Sequence, residues 1–123
     1  MRFISTKTHG ILDYLTGILL LLSPWIWSYY ATGLQSLIPI LLGIAILSMS
    51  LMTNYEISVL RLISMKGHLA VDVFSGLFLA VSPWIFGFQE LVYIPHVAFG
   101  IFLILSGLFT KVGQNDKKGS NLI

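Results

Sequence analysis

The sequence predicts an all-α membrane protein of four transmembrane helices, built as two tandem helical hairpins in the same, parallel orientation. Three observations predict it. Of the 123 residues, 56% are hydrophobic and only 10% are charged, whereas soluble domains carry about 25% charged residues. Four stretches are apolar over the ~20 residues that a helix needs to cross a hydrocarbon core of about 30 Å. Finally, the segment Arg2 to Ile26, RFISTKTHGILDYLTGILLLLSPWI, returns 59 residues later as Arg61 to Ile85, RLISMKGHLAVDVFSGLFLAVSPWI. This reads as an internal duplication.

The repeat gives a first unit at 1–60, with spans at about 8–29 and 34–53, and a second at 61–112, with spans at about 67–88 and 92–110. Arg2/Arg61, Ser5/Ser64, Lys7/Lys66, His9/His68, Asp13/Asp72 and Gly17/Gly76 are identical between the units, as is the Ser-Pro-Trp-Ile run at 23–26 and 82–85. Apolar filler drifts, as from Leu21 to Ala80. In the second helices Gly43 aligns with Gly100 and Thr53 with Thr110 after a two-residue shift. The outer loops, Tyr30 to Gly33 and Gln89 to Leu91, are short, so each pair of spans forms an antiparallel hairpin. The connection from Asn54 to Lys66 mixes charged and apolar residues in the pattern of an amphipathic helix lying at a membrane surface. The tail at 113–123, GQNDKKGSNLI, is expected to be a disordered cytoplasmic segment.

All seven basic residues precede span one, precede span three or follow span four, and neither short loop contains one. The positive-inside rule therefore places both termini and the middle connection in the cytoplasm, and the localisation expected is the inner (cytoplasmic) membrane. Trp25, Trp27, Tyr29, Tyr30, Trp84, Phe86, Phe88 and Tyr93 form an aromatic belt at the opposite interface. Because both hairpins start on the same side, a pseudo-two-fold axis along the membrane normal is the natural arrangement. The first apolar stretch carries His9 and Asp13 and lacks a small-x-small cleavage site, so it is expected to stay as a span. With no cysteine, disulfides and thiolate chemistry are excluded. The small positive charge lies in flanks, not in a stripe for nucleic acid.

With Ser23-Pro24-Trp25 and Ser82-Pro83-Trp84 near the outer ends of the first helices, the chain resembles the SPW-repeat family of small bacterial membrane proteins. The resemblance covers nearly the whole chain through the duplicated His-x3-Asp-x3-Gly-x5-Ser-Pro-Trp pattern. It implies a bacterial inner-membrane protein and no particular activity.

His9, Asp13 and Gly17 stand at i, i+4 and i+8 and so share one helical stripe, as do His68, Asp72 and Gly76. Side chains on a helix lean toward its N-terminus, so each carboxylate points back at its own histidine. A carboxylate at mid-membrane costs on the order of 2.5–3.5 kcal/mol on insertion scales, which marks it as a functional candidate. Two readings stand. In one, Asp13 and Asp72 occupy the second turn, less than about 10 Å deep, where the helix dipole favours a negative charge, and they tie helix starts together. In the other, His9 and His68 face one another with Asp13 and Asp72 beside them. Two imidazoles and two carboxylates suit a divalent metal ion, two imidazoles alone a haem, and protonatable groups a relay along a transport path.

Gly17 and Gly76, with Gly43, Gly100 and Gly107 on the second helices, permit close helix approach. Pro24 and Pro83 cannot donate to the carbonyls of Leu20 and Leu79, so each helix should kink where Ser23 or Ser82 can satisfy the freed group. The paired bends either anchor the outer end through Trp25 and Trp84 or shape a vestibule for a lipid, quinone or small solute. His96, aligned with Pro39, is expected to be an interfacial histidine. No nucleophile with a base and no cofactor motif is visible. The leading functional expectation is a non-enzymatic structural or partner-binding membrane component that packs against lipid and against a membrane protein partner or a second copy of itself. The alternative is a small-ligand protein binding a metal or relaying protons through the duplicated His/Asp pairs.

Overall fold

The computed structural model describes residues 2–53 and 58–112. It contains four helices and no strand among the described residues: α1 (Thr6–Ile26), α2 (Leu34–Met52), α3 (Met65–Ile85) and α4 (Ile94–Phe109). Three are long and apolar enough to cross a membrane. α4 is equally apolar but has 16 residues, because its start gives way to turns that return Leu91 and Val92 N–H to the Phe88 carbonyl. The tail at 113–123 lies outside the described residues.

The surface is the reverse of a soluble protein's. Leu15, Ile18 and Leu22 of α1, Leu37 and Leu41 of α2, Phe74 and Leu77 of α3, and Ile101 and Leu105 of α4 are exposed. Thr16, Ser23, Ser36, Ser50, Ser82, Ser106 and every histidine are buried. Such a distribution is stable where the surroundings are apolar and unsatisfied polar groups must turn inward.

Packing is concentrated within the pairs α1–α2 and α3–α4. At each crossing two glycines bring backbones together: a Cβ on Gly43 would lie 2.8 Å from the Gly17 carbonyl oxygen, and one on Gly100 only 2.5 Å from that of Gly76. The packing role expected for Gly17, Gly76, Gly43 and Gly100 is therefore what the structure shows. Between the hairpins, Leu20, Ile38, Ile46, Leu79, Phe88 and Leu103 form the apolar core.

Helix ends account for the differences from the expected spans. Ser5 and Ser64 are N-caps, their hydroxyls accepting from Thr8 N–H at 3.1 Å and Gly67 N–H at 3.0 Å, so α1 and α3 start two residues earlier than hydropathy indicates. Both stop three residues earlier, at Ile26 and Ile85. There Tyr29 N–H returns to the Pro24 carbonyl and Phe88 N–H to that of Pro83, a Schellman closure with a left-handed residue after the cap. That residue is Gly87, φ +73°, in the second half and Ser28, φ +58°, at the equivalent place in the first.

The expected surface helix over the middle connection is corrected for its described part. Residues 58–64 are non-helical, because their N–H groups are used at the open end of α2: Val59 and Leu60 donate to the Leu51 carbonyl, and Leu62 and Ile63 to that of Met52. Residues 54–57 lie outside the described residues. The chain start does the same at α4, with Phe3 and Ile4 N–H on the Phe109 carbonyl and Lys111 N–H returning to Ile4. Thr53 pairs with Ile63 and Thr110 with Ile4 in isolated parallel bridges. Each lead-in thus caps the C-terminus of a second helix and delivers the chain into a first helix.

Gly100→Ala places a methyl against the Gly76 carbonyl and is expected to lower stability in detergent by about 1–3 kcal/mol, read as a shift in denaturant midpoint. Ser28→Gly relieves a left-handed non-glycine residue and should raise stability by about 0.5–1 kcal/mol.

Candidate functional site

The stripe on α1 and the stripe on α3 face each other, and His9, Asp13, His68 and Asp72 meet at the crossing. All four are buried, Asp13 and His9 to 0% exposure, and one ligand atom from each lies within 4.8 Å of every other. The pairing is crossed. His9 Nε2 lies 2.8 Å from Asp72 Oδ2 and 3.0 Å from Asp13 Oδ2, and His68 Nε2 lies 2.5 Å from Asp13 Oδ2 and 3.4 Å from Asp72 Oδ2. Each histidine reaches its own aspartate one turn on, as expected, yet sits closer to the aspartate of the other half. The two rings stand edge to face, with centroids 5.4 Å apart.

Two residues that sequence reasoning left without a role complete the cluster. His9 Nδ1 lies 2.7 Å from Thr110 Oγ1, and His68 Nδ1 lies 2.6 Å from Thr53 Oγ1. Each threonine hydroxyl donates its one proton to a carbonyl in the last turn of its own helix, Thr110 to Ser106 and Thr53 to Met49, both at 2.6 Å. The hydroxyl oxygens can then only accept, so both Nδ1 atoms carry hydrogen. Both Nε2 atoms are thereby aimed at the carboxylates. The signal for these threonines was present in their alignment at an offset of 57 residues; what it lacked was that each contacts the histidine of the other hairpin. Thr53, Thr110 and their lead-ins bring all four helices to one point.

The Asp72 carboxylate reaches both histidines, as does that of Asp13, but Asp13 Oδ1 has no hydrogen-bond partner among the described residues. Buried carboxylate oxygens are rarely left so, and such an atom calls for an explanation.

The opposite end of the bundle is organised by its prolines. Ser23 Oγ donates to the Leu20 carbonyl at 2.9 Å and Ser82 Oγ to that of Leu79 at 2.7 Å, supplying the bonds that Pro24 and Pro83 cannot make. Since the Ser23 proton is spent there, the 2.5 Å contact with Tyr29 has the phenol as donor. Burial pushes the Tyr29 phenol above its ordinary pKa, so it keeps that proton. Pro39 frees the Gln35 carbonyl, and His96 Nε2 donates to it at 2.9 Å. His96, in the first turn of α4, is turned into the bundle: it is 1% exposed, held between the rings of Tyr29 and Phe88. Trp25 and Trp84 are exposed at this end, stacked on Tyr30 at 5.0 Å and packed on Tyr93 at 5.8 Å. A groove of about 490 Å³ does open here, lined by Trp27, Tyr29, Glu90 and Tyr93 among others, but Trp25 and Trp84 are not in its wall.

Apolar helices wrapped around a sealed polar centre define a multi-pass membrane protein with a buried His–Asp cluster. The chain belongs to the SPW repeat family: the family model of the SPW repeat domain matches residues 7–110. No curated protein and no solved structure matches it.

His68→Ala leaves Asp13 as a buried carboxylate short of a donor and is expected to cost about 3–5 kcal/mol. Thr110→Val strands His9 Nδ1–H and should cost about 1–3 kcal/mol, both measured by unfolding in mild detergent. His96→Phe, which keeps the ring but not the bond to Gln35, should cost a similar 1–3 kcal/mol.

Proposed function

We propose that the protein is a non-enzymatic component of the bacterial cytoplasmic membrane that binds one divalent first-row transition-metal ion between α1 and α3, through His9, Asp13, His68 and Asp72. The observation that carries this reading is the outer shell: Thr53 and Thr110 hold both imidazoles in the tautomer that presents Nε2 inward. Metal-bound histidines characteristically donate their second ring N–H in this way. Two neutral imidazoles, two carboxylates and a dication sum to zero charge, which suits a centre closed off from water. Mixed nitrogen and oxygen donors fit zinc, iron, manganese or cobalt better than calcium or magnesium. The unpartnered Asp13 Oδ1 offers a fifth donor atom.

Metal–ligand bonds of about 2.0–2.2 Å put tetrahedral ligand atoms about 3.4 Å apart, so the shortest pair, His68 to Asp13 at 2.5 Å, must open by roughly 0.9 Å. A single ion is favoured over a haem because carboxylates, not a space for a porphyrin, stand between the imidazoles. Arg2, Lys7, Arg61, Lys66 and Lys111 all fall where α1 and α3 begin and α2 and α4 end, which supports placing both termini in the cytoplasm.

The hydrogen-bond lengths of the crossed pairs favour a second reading, a structural clasp: two imidazolium–carboxylate pairs that lock one hairpin to the other with no ion. In that reading the protein is a scaffold for lipid and for a membrane partner.

Elemental analysis of protein purified in mild detergent without chelator separates the two. The metal reading expects close to one equivalent of a transition metal per chain, lost in His9→Ala/His68→Ala, and a characteristic visible spectrum after reconstitution with Co²⁺. Thr53→Val/Thr110→Val should weaken Co²⁺ affinity by about 10–100-fold, as loss of the outer shell does elsewhere. A metal-free native preparation that also fails to take up Co²⁺, and whose thermal stability ignores chelator, leaves the clasp alone standing.

A further inference from the structure

A second candidate site lies between the two hairpins, with its mouth at the end of the bundle opposite the His–Asp centre. The groove of about 490 Å³ at that end takes Tyr29 from the turn of the first hairpin and Glu90 and Tyr93 from the turn of the second. A further groove, of about 410 Å³, runs along α1 and α4 and is walled by Leu15, Leu19, Phe99 and Phe102 among others. Trp27 lines both. On α4 the wall passes from Pro95 in the first groove to Ala98, Phe99 and Phe102 in the second, which are successive turns of one helical face. The two grooves therefore make one path. It is open because α1 and α4 belong to different hairpins and pack little against each other.

The mouth carries a single sign of charge. Glu90 is its only charged lining residue; it is exposed and makes no ion pair among the described residues, whose ion pairs all join histidine to aspartate. Arg2, Thr53, Ser58 and Val112, which border the rest of the chain, lie at the other ends of the helices. Around Glu90 stand the rings of Trp27, Tyr29 and Tyr93. The Tyr29 hydroxyl is spent on Ser23, so what this residue offers a ligand is its ring. Electron-rich rings attract cations, Trp most strongly. Beyond Trp27 the wall is apolar except for Thr16, with Leu15, Leu19 and Phe102 exposed, and from Pro95 to Phe102 it follows α4 for about 10 Å.

A carboxylate among aromatic rings, above an apolar channel, matches an ammonium carried on a hydrocarbon chain. An ammonium-headed phospholipid fits less well, because its phosphate would meet Glu90 with no Lys or Arg in the wall. A neutral lipid gains nothing from the carboxylate. We infer that the path binds an amphipathic organic cation, its positive head at Glu90 and Trp27 and its hydrocarbon chain along Leu15, Leu19 and Phe102. The site needs no ion at the His–Asp centre.

The test is fluorescence of the full chain carrying W25F/W84F, which leaves Trp27 as the one tryptophan, in dodecyl maltoside held at constant concentration. The titrant is dodecylpyridinium, a cation that quenches tryptophan on contact and has the same chain as the neutral detergent. Saturable quenching is expected. E90Q should raise its midpoint about fivefold, the scale of one exposed ion pair, while D116N, which removes the same charge elsewhere, should leave it unchanged. Glu90 is exposed and unpaired among the described residues, so E90Q leaves the fold intact. A98F, which fills the apolar stretch with the carboxylate in place, should abolish saturation. Quenching that rises without saturating overturns the proposal, as does a midpoint that ignores E90Q or A98F. Saturation by N-methylpyridinium at the same midpoint overturns it too, since the chain would then contribute nothing. So does displacement of dodecylpyridinium by an equal concentration of phosphatidylethanolamine, which would make the site one for a zwitterionic lipid.

Discussion

Two carboxylates sealed in an apolar bundle must be matched on the spot, and the crossed contacts His9–Asp72 and His68–Asp13 do this across the α1–α3 interface. Coulombic matching inside low dielectric is valuable only when the geometry is complete, because an unmatched buried charge costs several kcal/mol. The pairing is crossed, so pulling one hairpin from the other uncovers both aspartates at once. A pair confined to one helix would leave the hairpins free to part. The rest of the architecture at this end of the bundle serves this contact. The Ser5 and Ser64 caps fix where the two stripes begin, the lead-ins occupy the last carbonyls of α2 and α4, and Thr53 and Thr110 at those ends reach His68 and His9.

At the far end the same rule, that no backbone carbonyl can be left open where water is scarce, is met by side chains. Three interior prolines free three carbonyls, and Ser23, Ser82 and His96 each supply the missing proton. The third case is the instructive one. Pro39 and His96 align in the sequence repeat, and the Gln35 carbonyl freed by the one is bonded by the other.

Hydropathy and the repeat made the four helices legible, and the i, i+4 spacing made legible that each aspartate faces its own histidine. The bonds from Ser23 and Ser82 to the carbonyls that Pro24 and Pro83 free were legible too, because a proline's missing donor and its nearest hydroxyl are local facts. What sequence could not supply was tertiary. Whether the two stripes met depended on how one hairpin packs on the other, which no local pattern in the sequence encodes. Thr53 and Thr110 were visible as a recurrence, yet their partners lie 15 and 101 positions away in the chain. The middle connection was misread because its apolar alternation suited a helix, whereas Leu60, Leu62 and Ile63 give their N–H groups to α2 instead.

The geometry leaves one framework able to hold two kinds of occupant. With a proton on each Nε2, the centre contains two imidazolium ions and two carboxylates; with a dication and no such protons, it contains the same net charge. The threonine bonds to Nδ1 are identical in both states, so neither would require the helices to rearrange beyond a small opening of the crossed pairs. What separates them is Asp13 Oδ1. The proton-filled clasp uses Oδ2 of each aspartate and leaves this atom buried with nothing to accept, a cost of about 1–3 kcal/mol. A metal ion seated between the four ligand atoms can take that oxygen as a further donor. Ser50 Oγ, Gln89 Oε1 and His96 Nδ1 are also buried without a hydrogen-bond partner among the described residues, so it is the elemental analysis, and not the orphaned oxygen, that decides between the two occupants.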